Sequence, residues 1–146
     1  MKTTDRLAAF PRPGDAKRQP EAMAQFARPQ DGGIARFAGR WVNHLGSVLD
    51  LTVEGNSVSG RIELRLETAR DSVAGDLLGM VDGSAIALVS RWEERACLGT
   101  WLGELIDSDG QEAIMLSWEL LRHLDDPDRP MDMAIGQAMF TRLPPH

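Results

Sequence analysis

A series of short alternating segments, separated by hairpin turns, constrains the fold of this chain more than any other feature. In "SVLDLTVE" apolar and polar residues alternate from Leu49 to Glu54, and "SVSGRIELRLE" alternates again directly afterwards. Between them, "GN" at 55–56 supplies the residue types that tolerate the positive φ of a tight turn. The same turn chemistry returns as "DG" at 82–83 and "SDG" at 108–110. The pattern predicts antiparallel strands joined in sequence order.

Eight such segments follow one another at roughly even spacing from residue 37 onward. An all-β fold with this pattern is either a sandwich or an up-and-down antiparallel barrel. We expect the eight-stranded barrel, because closure removes both exposed edge strands. The longest connection without turn chemistry, residues 122–133, is expected to cap one end of it.

Residues 1–35 differ in composition from the rest of the chain. They hold four of the eight prolines and no tryptophan, with six Lys/Arg against four Asp/Glu. Such a segment buries too little apolar surface to offset its ordering entropy. We therefore predict a flexible N-terminal arm over 1–35 and a barrel domain over 36–146. The alternative is an arm that docks on the barrel or plugs its pocket.

Charge and hydropathy exclude several classes of protein. Residues 36–146 carry ten Lys/Arg and eighteen Asp/Glu, and an acidic body repels nucleic acid. No apolar run approaches the ~18 residues of a membrane span. A single cysteine allows no intramolecular disulfide, and the first residues lack a secretory signal pattern. The chain as it stands is expected to be cytoplasmic; a secreted protein whose leader had been removed would look similar.

The sequence offers no arrangement that would support catalysis or a metal ion. The histidines are His44, His123 and the terminal His146, and Cys97 lies in a strand-like segment without a histidine nearby. "HLDDPD" has several carboxylates but lacks the glycine turn of a calcium loop. We predict that the protein is not an enzyme, needs no cofactor and holds no metal, and that Cys97 is a small apolar residue.

Aromatic residues are the strongest candidates for a binding site. The chain has no tyrosine but four tryptophans, which lie in the predicted first, fifth, sixth and seventh strands: Trp41, Trp92, Trp101 and Trp118. They would fill a barrel core or wall an apolar ligand pocket. Asn43 and Ser47 end the first strand beside Trp41, and an amide and a hydroxyl together can converge on one ligand oxygen.

These segments resemble the strand motifs of the avidin family, which includes streptavidin. The likeness spans residues 38–143 and is nearest to the short, dimeric bacterial avidins. The matching segments occur in the family's order: "GRWVNHLGS", "VSGRIE", "LLGMVDGSAIALVSRW", "GTWLGEL", "SWELL" and "IGQAMFTRL". The resemblance implies a non-catalytic barrel that binds biotin.

The resemblance also assigns a partly retained ligand site. Asn43 and Ser47 match two donors that hold the ureido carbonyl of biotin. The tryptophans Trp92, Trp101 and Trp118 match the pocket walls.

Five positions that are polar in the family are apolar or small in this chain. Ile62 stands where a tyrosine normally completes the carbonyl grip, and Leu64 and Ala138 replace the partners of the ureido N–H groups. Gly99 replaces a threonine that faces the thioether sulfur, and Cys97 replaces a polar group near the carboxylate tail.

We therefore expect binding of biotin or a biotin-like ligand at reduced affinity. Three lost ureido contacts at about 1–2 kcal/mol each amount to roughly two to four orders of magnitude. The alternative is a barrel that binds another apolar small molecule, or an interaction scaffold. A homo-oligomer is expected. A homodimer is favoured over a homotetramer, because residues 129–133 lack the tryptophan that tetrameric members lend to a neighbouring subunit.

Overall fold

Alternation of apolar and polar residues gives each strand one inward and one outward face, and the sheet closes on itself. A computed structural model describes residues 34–65, 72–93, 97–128 and 130–143. Its strands are β1 Gly39–Val42, β2 Val48–Glu54, β3 Ser57–Arg65, β4 Ser72–Asp82, β5 Ala85–Trp92, β6 Cys97–Ser108, β7 Gln111–His123 and β8 Met131–Arg142. Each pairs antiparallel with its sequence neighbours, and β8 pairs with β1. The predicted eight-stranded up-and-down barrel is confirmed. Residues 1–33 of the predicted arm lie outside the described residues.

Strand β5 shows how the interior is built. Its residues alternate between exposed and buried along the whole strand. The inward set is Ile86, Leu88, Ser90 and Trp92, and only one member is polar. The other strands contribute inward leucine, isoleucine, valine and aromatic side chains to the same cluster, so the barrel encloses one core.

The predicted turns join the strands at one end of the barrel, which we call the hairpin end. Gly55 and Gly83 adopt φ of 59° there, a left-handed conformation in which a side chain would be strained. Asp109 takes a similar φ of 53° in the third hairpin. Residues 43–47, which connect β1 to β2, lie at the opposite end, which we call the loop end.

A short 3-10 helix, Ile34–Phe37, leads into β1. Phe37 is fully buried, and its carbonyl accepts a hydrogen bond from Trp41 Nε1 at 2.9 Å. This bond satisfies the indole of a tryptophan with no exposed surface. Among the described residues no helix is long and apolar enough to cross a membrane.

Closure between β1 and β8 depends on few backbone contacts. Only two residue pairs form this ladder, Trp41 with Arg142 and Val42 with Thr141. The neighbouring ladder between β7 and β8 has eleven pairs. The seam is therefore the shortest ladder of the barrel, and side chains have to reinforce it.

Arg142 supplies that reinforcement. Its guanidinium donates to the carbonyl of Ala38 at 2.7 Å and to the carbonyl of Arg36, and it lies 4.2 Å from the centroid of the Trp41 ring. It also donates to the Glu112 carboxylate on β7 at 3.1 Å. One side chain thus links β8 to β7, β1 and the 3-10 helix; we call this group the Arg142 clasp.

Candidate ligand site

The residues predicted to bind a ligand gather toward the loop end of the barrel. In an antiparallel barrel, odd strands end where even strands begin, so residues far apart in sequence meet there. Ala138 lies deeper, near the middle of β8. The set is Asn43, Ser47, Ile62, Leu64, Trp92, Cys97, Gly99, Trp101, Trp118 and Ala138. Their role in binding stays a prediction.

Asn43 organises the loop between β1 and β2. Its side-chain oxygen accepts the backbone N–H of Leu45 at 3.0 Å and of Ser47 at 2.9 Å. The backbone N–H of Asn43 donates to the carbonyl of Ser47 at 3.1 Å, which closes the loop. Both lone pairs of the amide oxygen are occupied, so the amide NH₂ is the part of Asn43 that remains able to bind a ligand.

Ser47 is buried, and its hydroxyl oxygen accepts the backbone N–H of Arg65 at 2.8 Å. This bond joins the start of β2 to the end of β3. The hydroxyl proton has no acceptor in the described chain, so Ser47 can still donate. Asn43 and Ser47 therefore have structural roles that the sequence did not reveal, and each retains a donor.

Three tryptophans lie in strand segments toward the loop end. Trp101 and Trp118 are cross-strand partners, with ring centroids 6.2 Å apart and planes inclined by 42°. Trp118 lies over Gly136, where an added Cβ would come within 2.3 Å of its ring. Only glycine leaves room for the indole there. Trp101 and Trp92 are buried, whereas Trp118 is half-buried.

Ser90 contacts two of the predicted site residues, Gly99 and Trp101, and was missed by the sequence analysis. It is fully buried on β5, and its hydroxyl oxygen accepts a hydrogen bond from Trp101 Nε1 at 3.0 Å. A signal existed: Ser90 is the single polar residue in the inward register of "AIALVSRW". Buried hydroxyls require partners, so its position on the apolar face indicated a specific contact.

Gly99 is the register partner of Ser90 on β6. A Cβ placed at Gly99 would lie 2.4 Å from Ser90 Oγ and 2.6 Å from Leu120 Cδ2. These contacts are far below van der Waals distance. The space that a side chain at position 99 would need is therefore already filled by the serine hydroxyl and a leucine methyl.

The remaining predicted positions pack against the apolar core of the barrel. Ile62 is fully buried, and Leu64 and Ala138 are partly buried against the core. Cys97 also packs against the core as a half-buried residue, with its sulfur 3.9 Å from the carbonyl of Leu98. The interpretation of Cys97 as a small apolar residue stays a prediction.

Trp92 carries an unusual buried donor. Among the described residues, its Nε1 is the one buried side-chain nitrogen or oxygen without a hydrogen-bond partner. The side chain is only 6% exposed, so water does not satisfy this N–H readily. Buried indole N–H groups normally find an acceptor, and an unpaired one indicates a site where a ligand or ordered water completes the bond.

Acidic residues outside the site do not form a metal centre. In residues 34–65, 72–93, 97–128 and 130–143, no group of three or more His, Cys, Asp or Glu could hold an ion. Asp125, Asp126 and Asp128 are exposed, and Asp126 accepts the backbone N–H of Asp128 at 2.9 Å. The acidic loop that follows β7 is thus stabilised by its own turn contact.

Up-and-down barrels with an aromatic wall and a few polar groups at one end form a class that holds one small ligand inside. Within that class, the family model described as "Avidin family" matches residues 33–143, about three quarters of the chain. The chain belongs to the avidin family. Avidins are non-catalytic biotin-binding proteins, in agreement with the predicted lack of catalysis.

Solved avidin structures share this fold. The rhizavidin–biotin complex is 23% identical, covers 79% of this chain and 99% of its own, and superposes with a TM-score of 0.69. A second rhizavidin structure is 24% identical, with coverage of 77% and 87% and a TM-score of 0.68. The short afifavidin–biotin complex is 21% identical, with coverage of 80% and 100% and a TM-score of 0.65. A comparison with curated proteins gives no match.

Proposed function

We propose that the protein binds biotin or a biotin-like small molecule at the loop end of the barrel. The observation that carries this proposal is a buried indole N–H without a partner, on Trp92. The Trp101–Trp118 ring pair and the remaining donors of Asn43 and Ser47 lie toward the same end of the barrel. An apolar pocket with a few oriented polar groups is the usual design of a small-molecule site. Membership of the avidin family and fold likeness to two biotin complexes support biotin as the first ligand to test.

The affinity for biotin is proposed to be low for this family. Ile62, Leu64 and Ala138 offer only carbon atoms, and they pack against the core. Three lost hydrogen bonds at about 1–2 kcal/mol each weaken binding by about 3–6 kcal/mol. This corresponds to roughly two to four orders of magnitude in Kd.

Isothermal titration calorimetry with biotin tests the proposal. We expect saturable heat that Trp118→Ala strongly reduces, because this variant removes one wall of the site. Met115→Ala is a matched control, since Met115 lies on the same strand with an exposed side chain. The absence of heat and of a thermal shift at millimolar biotin would refute biotin binding.

The second candidate is a different ligand in the same barrel. Leu64 and Ala138 favour a molecule without N–H groups at these positions, because a buried N–H facing carbon would be unsatisfied. Native mass spectrometry of protein purified from its own host tests this candidate. A retained small molecule other than biotin would support it.

We also propose that the protein is a homodimer. Five large apolar side chains lie more than half exposed on the outer face of β4–β6; we call them the outer apolar patch: Leu78, Met80, Val89, Leu98 and Leu102. Contiguous apolar surfaces of this kind mark interaction sites. A second copy of the chain is the proposed occupant, because an apolar patch is complementary to itself across a two-fold axis. The alternative role, an interaction scaffold, would use the same face for another protein.

A further inference from the structure

We propose that the interior of the loop end favours ligands that present hydrogen-bond acceptors over otherwise equal ligands that present N–H or O–H donors. This inference rests on the proposed function, because it takes the loop end as the binding site. It concerns the chemical class of the preferred ligand: a compact apolar molecule whose buried polar atoms are carbonyl, ether or similar acceptor oxygens.

The polar side chains of the site retain donors. Trp92 Nε1–H is buried without a partner. The Asn43 amide NH₂ and the Ser47 hydroxyl proton have no acceptor within the described chain. The Ser90 hydroxyl accepts from Trp101 and likewise keeps its own proton. Four groups toward the loop end therefore retain a hydrogen-bond donor.

Acceptors at the site are largely used. The Asn43 amide oxygen takes two backbone N–H groups, which fills both of its lone pairs. The hydroxyl oxygens of Ser47 and Ser90 each hold one donor already, so each keeps a single lone pair. Four of the other predicted lining residues carry no side-chain acceptor: Ile62, Leu64, Gly99 and Ala138.

Among the described residues, no Asp or Glu side chain adds a hydrogen-bond acceptor to the interior of the loop end. Every described Asp and Glu is exposed except Glu112 and Asp132. Glu112 belongs to the Arg142 clasp, and Asp132 pairs with Arg122. Among the described residues, the loop end thus combines apolar side chains with more free donors than free acceptors.

Selectivity follows from the cost of unpaired buried groups. A ligand acceptor can satisfy Trp92 Nε1–H, whereas a ligand N–H placed against apolar carbon loses its bond to water without replacement. Sites discriminate most strongly when the wrong ligand leaves a buried polar group unpaired. A donor-free ligand is therefore favoured over an otherwise equal ligand with N–H groups.

A series of cyclic ureas tests the proposal without depending on the biotin scaffold. The probes are 2-imidazolidinone, its 1-methyl derivative and its 1,3-dimethyl derivative, which share one carbonyl acceptor and carry two, one and no N–H groups. Indole ¹H–¹⁵N spectra of the full chain report binding, with the Trp92 resonance assigned through Trp92→Phe. Trp41, whose indole already donates to Phe37, is the internal reference.

We expect the Trp92 resonance to move downfield in a saturable way, with each N–H removed tightening binding by about 3- to 10-fold. Trp92→Phe should weaken the dimethyl probe by a similar factor and leave the Trp41 resonance in place. Equal or tighter binding of the parent urea, or a Trp92 resonance that no probe moves, would overturn the inference. If the expected ranking is found but biotin produces no heat, the inference stands and the biotin proposal fails.

Discussion

The hydroxyl of Ser90 occupies the space in front of Gly99. The two residues are cross-strand partners on β5 and β6, and a Cβ at Gly99 would lie 2.4 Å from Ser90 Oγ. The same hydroxyl accepts the indole N–H of Trp101. A hydroxyl group is thus present in this part of the barrel interior, but β5 supplies it and β6 does not. A comparison of position 99 alone with the family would show only that the threonine is missing.

This relationship predicts coupling between positions 90 and 99. Gly99→Thr should destabilise the fold by about 1–3 kcal/mol through overpacking. Ser90→Ala should cost about 1–3 kcal/mol, because Trp101 Nε1 loses its buried acceptor. In the double variant, the alanine frees space and the threonine hydroxyl can replace the acceptor, since a Cβ at Gly99 would lie 3.3 Å from Trp101 Nε1. The stability loss of the double variant should therefore be much smaller than the sum of the two single losses.

Urea unfolding followed by tryptophan fluorescence measures this cycle. Ser117→Ala, an exposed serine on β7, is the control and should change stability by less than about 0.5 kcal/mol. Strictly additive losses at positions 90 and 99 would show that the two side chains do not share the space.

Variants of Asn43 should separate its structural role from its ligand role. Asn43→Ala removes the acceptor of the Leu45 and Ser47 N–H groups and should cost about 1–2 kcal/mol of stability. Asn43→Asp keeps an acceptor oxygen for the loop but removes the NH₂ donor. We expect near-normal stability and at least about 10-fold weaker biotin binding for Asn43→Asp, because its carboxylate repels the ligand carbonyl.

Parallel thermal unfolding and calorimetry distinguish these outcomes. Asn43→Asp with unchanged ligand affinity would mean that Asn43 serves the loop alone. His44→Ala, an exposed change in the same loop, controls for nonspecific effects.

The Arg142 clasp predicts a pH-dependent contribution to stability. Burial raises the pKa of the Glu112 carboxyl, but hydrogen bonds from Arg142 and Arg36 outweigh it and lower the pKa below the usual 4.5. A carboxylate whose pKa is lower in the folded state stabilises the fold above its unfolded pKa. That contribution is lost as the pH falls through the folded value.

We expect Glu112→Gln to destabilise the protein by about 1 kcal/mol at pH 7, a modest value because the pair is partly solvated. The difference from wild type should shrink as the pH falls below about 4.5 and the wild-type carboxylate protonates. Urea unfolding between pH 3 and 7 checks this. Glu104→Gln is the control, since Glu104 is exposed and forms no ion pair in the described chain. A stability difference between Glu112→Gln and wild type that stays constant with pH would contradict the Arg142 clasp as the source of that difference.

The outer apolar patch predicts how the dimer can be disrupted. Leu102 is 64% exposed within the patch. Leu102→Glu buries a charge in the proposed interface and should raise the dimer dissociation constant by at least about 100-fold. Light scattering with size-exclusion chromatography measures the mass of each species. Thr52→Glu adds the same charge on the exposed face of β2 and should leave the mass unchanged. A wild-type protein that elutes as a monomer at high concentration would refute the proposal.

Local sequence patterns predicted the architecture well. The period-two alternation in segments such as "AIALVSRW" fixes which side chains point inward, because a slip of one residue would reverse every face. Turn chemistry at Gly55 and Gly83 fixes the hairpins, because few residues tolerate their φ values. These are short-range constraints, and the eight strands follow from them.

The hydrogen bonds within the candidate site were harder to predict from the sequence than the strands and turns. Ser90 and Trp101 are eleven residues apart, and Ser47 and Arg65 are eighteen apart, so their hydrogen bonds depend on strand register and barrel curvature. The Arg142 clasp joins residues over a hundred positions apart along the chain. No local pattern encodes such a pairing.

The sequence by itself determined the strands, their turns, the inward faces and the likeness to avidins, because alternation and turn chemistry act over a few residues. Only the tertiary structure decided which hydrogen-bond donors and acceptors of the candidate site remain available to a ligand. The Asn43 oxygen is used by its own loop, the Ser90 hydroxyl fills the space beside Gly99, and Trp92 Nε1 is left without a partner. The physical reason is that a hydrogen-bonding group acquires its function from its buried neighbours, and closure of the barrel brings those neighbours together.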